Sequence, residues 1–335
     1  MITKELWGKT PSGEEIYLYT LTNSKGAYVK VSSVGAGIVE VVVPDKDGAL
    51  ADVVLGYPEA ASYFGDGPCS GKVPGRYANR VALGKFTLDG VEYTLPINNG
   101  PNHLHGGPEG FQNKVWESRE HEGGVEFLYY SEAGEQGYPG AVKTVARYDW
   151  SEDCELRLTL TAESDAPTVI NLTNHAYFNL NGEGNGDILG HILRMNASEY
   201  LPTDQTQIPL GESEPVAGTP MDFVSGKPIG QDINADFEPL KIGKGYDHCW
   251  VIDGAEPGQL QFCAELYAPE SGRCLEIYTT QPGVQVYTGN WLSGCPAGKN
   301  GHVYNDYDGI AIECQNYPDA PNKSDYPSCV LRPGE

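Results

Sequence analysis

Positive charge is scarce in this chain. Lysine and arginine number 22 against 46 aspartates and glutamates, a formal net charge of −24, so a polyanion such as nucleic acid, or an acidic membrane surface, would be repelled at long range. Long apolar runs are missing as well. No stretch approaches the roughly 18 apolar residues of a membrane span, and no apolar segment follows Lys4 near the start. The expectation is a soluble, cytoplasmic protein with no nucleic-acid and no membrane partner. Cys69, Cys154, Cys249, Cys263, Cys274, Cys295, Cys314 and Cys329 never fall in a C-x-x-C spacing, which argues against a structural zinc site. Free, mostly buried thiols are expected in a reducing compartment. Apolar periods of 3.6 residues are rare, so a helical architecture is excluded.

What the chain does have is 42 glycines, 24 prolines and 21 tyrosines, the composition of many short strands joined by turns. The expected fold class is all-β. Its 335 residues, 39% of them hydrophobic, can bury a full core, and without a low-complexity linker a single domain over 1–335 is the simpler organisation. Residues 15–20, 27–33, 37–43 and 51–56 read as an antiparallel meander, with Asp45-Lys46-Asp47-Gly48 as a turn. Asp89-Gly90 between two alternating runs predicts a hairpin over 85–95. Strands are expected over 115–120, 125–131, 141–150 and 155–164, then over 261–267, 273–280 and 284–287, with a loop-rich stretch over 181–239.

Candidate functional residues gather in a few places. Asn171-Leu172-Thr173-Asn174-His175-Ala176-Tyr177-Phe178-Asn179-Leu180 sets one histidine among three asparagines and two aromatics, after a run over 166–170 that reads as a strand. An imidazole there can be held by amide partners and face a polar ligand. Amides and rings are also what hold sugars, whose hydroxyls need paired donors and acceptors and whose apolar face needs a flat surface. Gly75-Arg76-Tyr77-Ala78-Asn79-Arg80 places two guanidinium groups in glycine-rich surroundings, where backbone and ligand approach closely. Either arginine serves a ligand or pins a loop. In His103-Leu104-His105-Gly106-Gly107 the two histidines point to opposite sides if extended, and His105, followed by glycines, is the better pocket candidate. Zinc at this pair lacks a nearby third ligand. Asp247, at the mouth of a strand, either orients hydroxyls or caps a turn. Glu313 ends the apolar run Ile310-Ala311-Ile312, so it is the acid most exposed to burial, which raises a carboxyl pKa and makes it a better base near neutrality.

Gly75 to Arg80, Leu104 to Gly107, Asn171 to Leu180, Gly245-Tyr246-Asp247-His248, Thr280-Gln281-Pro282-Gly283-Val284-Gln285 and Glu313-Cys314-Gln315-Asn316, in that order, resemble the aldose 1-epimerase (galactose mutarotase) family. The resemblance also takes in Gly137 to Gly140 and Leu201 to Asp204. It implies a large antiparallel β-sandwich with a sugar cleft, working without metal or organic cofactor on a small-molecule aldose, as a monomer or homodimer. Carried over block by block, it implies Glu313 as general base, His175 as general acid and His105 as a second active-site histidine. Arg76, Asp247 and Gln285 would hold the sugar's hydroxyls, with Asn79 beside them, and Gln285 is preferred to Gln281. Anomer exchange needs a proton taken from the C1 hydroxyl and one given to the ring oxygen, with roles reversed on closure. For His175 to carry a proton at neutral pH, nearby Glu313 and Asp247 are expected to raise its pKa. A hexose-phosphate mutarotase would want a cation cluster, a catalytically dead lectin would lack His175 or Glu313, and a glycosidase built on Asp247 and Glu313 would leave the histidines idle.

Overall fold

Glu15–Thr22, Tyr28–Ser32 and Gly37–Pro44 form strands where their β-branched runs predict them, and with Ile2–Lys9 and Leu50–Asp52 they make a five-stranded antiparallel meander. The computed structural model describes Met1–Glu335 throughout. The Asp45 carboxylate accepts from the amides of Asp47 (2.9 Å) and Ala49 (2.8 Å), which closes the expected turn. Two boundaries differ from the sequence reading. Ile2–Lys9 is an edge strand whose side chains are mostly exposed, so it has no buried face for a pattern to reveal. The strand expected over 51–56 is only Leu50–Asp52, because the Asp52 carboxylate takes the amides of Val41 (3.0 Å) and Val54 (3.1 Å) in place of a ladder partner.

Glu117–His121, Gly124–Ser131, Val142–Trp150 and Leu156–Ser164 form a second antiparallel sheet in sequence order. Lys85–Leu88 and Val91–Thr94 form the hairpin, turning through Asp89 and Gly90, both at positive φ. The stretch over 181–239 holds strands too short to show a period: Ile192–Met195, Glu199–Leu201, Glu214–Pro215 and Lys227–Pro228. The one α-helix is the six-residue Glu238–Gly243, and no helix is long and apolar enough to cross a membrane. All eight cysteines are free, with Cys69, Cys249, Cys263 and Cys329 buried.

The central sheet runs Tyr177–Phe178, Ile310–Gln315, Gly283–Tyr287, Asp247–Val251, Glu199–Leu201, Glu214–Pro215. Period-two alternation sends Val284, Val286, Ile310, Ile312 and Trp250 into a core that also holds Tyr19 and Val31 of the meander, Phe127 and Tyr148 of the second sheet, and Leu193 and Leu266 of a fourth. Inner faces of four antiparallel sheets thus share one apolar interior, the arrangement of a large β-sandwich. The other face of the central sheet is left for polar groups.

Asparagines fasten the connections above that face. The Asn171 amide donates to the carbonyls of Ala78 (3.1 Å) and Asn316 (3.3 Å) and accepts from the Asn316 amide (2.9 Å). Asn174 donates to Gly71 O (2.6 Å), and Asn179 to Gly186 O (2.8 Å) and Asp308 O (3.0 Å). Replacing Asn171 by leucine strands three buried backbone groups, each costing on the order of 1–3 kcal/mol. Asn171→Leu is therefore expected to lower the unfolding free energy by about 3 kcal/mol or more in urea titration; a loss below about 1 kcal/mol would contradict this role.

Candidate active site

Strand register gathers the polar face. Gln285 stands opposite Glu313 and Asp247 opposite Tyr287 across antiparallel ladders. Paired residues share a face, as do residues two apart on one strand, so Asp247, Gln285, Tyr287 and Glu313 project together. His175 comes from the connection above them, fixed by its backbone: its amide donates to Lys72 O and its carbonyl accepts from Gly71 N, both at 2.9 Å. The three asparagines expected around the imidazole bond main-chain carbonyls instead, so they hold the segment and not the ring.

His105 arrives on a neighbouring loop. It and Asn79 both adopt left-handed φ (51° and 64°) and bond each other: His105 N donates to Asn79 O (3.0 Å) and Asn79 N to His105 Nδ1 (3.1 Å). With Nδ1 accepting, the ring proton lies on Nε2, so His105 is a neutral donor. Gly106 allows this packing, since a Cβ there would lie 1.7 Å from Gly75 O. The His105 ring stands edge-on to His175 with centroids 5.3 Å apart. Tyr177 and Tyr287 flank His175 at 5.0 and 6.3 Å.

At the centre, His175 Nε2 lies 3.4 Å from Glu313 Oε1, with side-chain exposures of 6% and 2%. Burial pushes the Glu313 carboxyl well above the usual range, the nearby Asp247 charge adds to this, and Arg80 opposes it. Burial also lowers His175 to about 4, outweighing the attraction of Asp247 and Asp66. The expectation that Glu313 and Asp247 raise His175 is therefore corrected: desolvation dominates, and a carboxyl itself pushed up by burial offers little negative charge. Both shifts favour the uncharged forms, a carboxylic acid beside an imidazole, and one proton moved across makes the pair carboxylate and imidazolium. Burial holds His105 well below its ordinary value, with further depression from His175 and Arg80.

Beside the pair, Asp247 Oδ1 accepts from Gln285 Nε2 (2.7 Å) and Oδ2 from Gln207 Nε2 (2.6 Å). Arg80 donates from Nη2 to Gln207 Oε1 (2.6 Å) and from Nε to Asn99 Oδ1 (3.1 Å). Asn79, Thr203, Gln207, Asp247 and Gln285 line a hollow here. Glu313 Oε2, Gln285 Oε1 and His175 Nδ1 are buried without a partner in the chain. Buried polar atoms are normally paired, and Gln285 Oε1, on the lining of the hollow, is the one of the three that a hydroxyl-bearing ligand there would satisfy.

Arg76 does not reach this place. Its Nη1 donates to Pro139 O and Gly140 O (2.7 Å each), and its Nη2 to Ser131 Oγ (2.5 Å), a cage that spends its donors on the loop. Arg80 is the arginine brought to the hollow. His103 is equally occupied, bonded to Pro96 O and the Tyr138 hydroxyl, each at 2.7 Å. Gln281 lies in a turn, with its amide donating to Thr279 Oγ1. No three His, Cys, Asp or Glu side chains converge as a metal ion would require. Gln207 escaped the sequence reading. Its only signal was its place three residues past the Leu201 to Asp204 block.

An antiparallel sandwich with such a site is an isomerase acting on carbohydrates, as its similarities show. The family model for aldose 1-epimerase matches residues 17–335. Galactose mutarotase of Sus scrofa is 42% identical over 334 residues, covering 100% of this chain and 95% of that protein. Aldose 1-epimerase of Escherichia coli (strain K12) is 37% identical over 328 residues, covering 97% and 94%. Among solved structures, galactose 1-epimerase from Lactobacillus acidophilus NCFM superposes with a TM-score of 0.85 at 30% identity, covering 99% of this chain and 95% of that one. An aldose epimerase homologue from C. elegans gives 0.86 at 32% identity, covering 94% of each. The chain belongs to the aldose 1-epimerase family.

Five histidines whose pKa is lowered first by desolvation are expected to make the fold acid-labile. His103, His175, His191 and His248 are lowered to about 4, and His105 further, in each case first by burial. Unfolded histidines take protons near ~6.5, so between that value and 4 the unfolded state binds protons the fold refuses, and stability falls as pH falls. Glu313, Asp52 and Asp308, raised by burial, act in the opposite sense, three groups against five. The Tm is expected to drop by about 5 °C or more from pH 7 to pH 5 at fixed ionic strength. A Tm that holds or rises over that range would refute the neutral-histidine assignment.

Proposed function

We propose that the chain, acting as one domain, interconverts the α and β anomers of a free hexose such as galactose or glucose through Glu313 and His175. The observation that carries this reading is the 3.4 Å contact between His175 Nε2 and Glu313 Oε1. Ring opening needs a base on the C1 hydroxyl and an acid on the ring oxygen. Both oxygens are bonded to the same carbon, so the two groups must lie side by side.

In this scheme the Glu313 carboxylate takes the C1 hydroxyl proton while the His175 imidazolium protonates the ring oxygen. The C1–O5 bond breaks and an aldehyde forms. The His105 Nε2–H is a fixed neutral donor for an oxygen that gains charge during these transfers. Rotation about C1–C2 presents the other face, Glu313 returns its proton to the new C1 oxygen, and His175 recovers its own from the hydroxyl that closes the ring. Asp247, Gln285, Arg80 and Asn79 orient the remaining hydroxyls. A glycosidase reading is weaker, because both Asp247 oxygens are engaged by amides.

Polarimetry on freshly dissolved α-D-galactose and α-D-glucose tests this. Glu313→Gln and His175→Asn are each expected to lose roughly 100- to 10,000-fold in rate with unchanged circular dichroism; variants retaining most of the rate would exclude these roles. The active form is the pair holding one proton, so its pH limits belong to the pair. Gain of a second proton removes the base, and with His175 at about 4 that loss falls near the same pH. Loss of the single proton removes the acid, above the ordinary carboxylate range because burial raises Glu313. A rate that instead collapses between pH 7 and 6 would mean that His175 titrates as a solvated histidine.

A further inference from the structure

We infer that Gln207 is a positioning residue that holds Arg80 and Asp247 apart as an open clamp for a sugar hydroxyl; the inference rests on the proposed reaction and deepens it. An arginine and a carboxylate free to meet make a direct, frequently bidentate pair at about 2.7–2.9 Å. Here Arg80 Nη2 and Asp247 Oδ2 remain 3.8 Å apart, although both side chains are largely buried. The Gln207 amide fills the gap. Its carbonyl oxygen accepts from Arg80 Nη2 at 2.6 Å, and its NH2 donates to Asp247 Oδ2 at 2.6 Å. Gln285 holds the other carboxylate oxygen at 2.7 Å.

This wedge leaves capacity on both sides. Each carboxylate oxygen accepts more than one hydrogen bond, and a guanidinium has five donors, of which Arg80 uses Nε on Asn99 and Nη2 on Gln207. A hydroxyl that donates to Asp247 and accepts from Arg80 matches what remains. Direct closure of the ion pair would consume both groups and shut the subsite. The hollow contains three further polar residues with a buried, unpartnered atom, Gln285 at Oε1, Thr203 at Oγ1 and His248 at Nε2, so it has capacity to receive hydroxyls.

The wedge is held from behind. Gln207 sits at φ 63°, a left-handed conformation that a glutamine adopts at a cost. The Asp204 carboxylate fixes it by accepting from the amides of Thr206 (2.7 Å) and Ile208 (3.1 Å). Asn102 docks the turn by donating to Thr206 O (3.2 Å) and Oγ1 (3.0 Å). A side chain merely covering the surface would need none of this registration.

The test uses the full chain and two variants. Gln207→Met keeps length and removes the amide, and Gln207→Glu keeps the acceptor for Arg80 but sets a second negative charge against Asp247. Both are expected to raise KM for galactose and glucose on the order of 10- to 100-fold while kcat stays within about threefold, and to change the ratio of kcat/KM between the two sugars. Wild-type KM in both variants, or a fall in kcat at unchanged KM, overturns the clamp. Calorimetric binding of galactose separates this result from the reaction itself. If wild type binds galactose but does not interconvert its anomers, the proposed reaction fails and weakened binding in Gln207→Met still supports the clamp. If wild type binds neither sugar, the clamp fails as well.

Discussion

Everything at the site depends on burying an imidazole against a carboxyl. Each group alone would resist such a place in its charged form, since desolvation of an ion costs several kcal/mol. Side by side at 3.4 Å they avoid that cost by sharing one proton in a neutral state. The same burial that pushes Glu313 up pushes His175 down, which reverses the order the two groups have in water and favours the proton on the carboxyl.

The sandwich supplies this burial by geometry. On the central sheet, Ile312 and Val286 face the apolar interior while their neighbours Glu313 and Gln285 face the other way. A register slip of one residue would exchange them, burying the carboxyl in hydrocarbon and exposing the core. The apolar demand of the interior therefore fixes the position of the acid, and the asparagine bonds at 171, 174 and 179 fix the histidine connection above it.

These relations explain what was legible in the chain. Strands with one buried face, such as Glu15–Thr22 and Val142–Trp150, announce themselves through composition, and Asp89-Gly90 announces its hairpin through turn chemistry. Ile2–Lys9 pairs at an edge through its backbone with most side chains exposed, so no pattern marks it. Glu313 was readable as a buried acid because it closes an apolar run. Arg76 was chosen over Arg80 although both sit in one glycine-rich block, and only the carbonyl cage around Arg76 assigns it to the loop. The direction of the His175 shift was misjudged because sequence names its charged neighbours but not its burial, which is the larger effect. Gln207 was invisible because its role is set by a turn and by partners far away in the chain.

A neutral site also suits the chemistry proposed for it. Reduced to protons, anomer exchange is a closed cycle: one proton leaves O1 and returns to O1, and one is lent to the ring oxygen and taken back. Nothing is exchanged with solvent, so the pair needs no proton channel and gains from being dry, where each hydrogen bond to the sugar is stronger. A phosphorylated sugar would fit this logic poorly. Its dianion would meet the Glu313 carboxyl, the Asp247 carboxylate and a chain of net charge −24, with Arg80 as the one arginine at the hollow. A free aldose brings only hydroxyls, each a donor and an acceptor, and the amides, carboxylate and guanidinium of Gln285, Asp247 and Arg80 can bond these without a further cation.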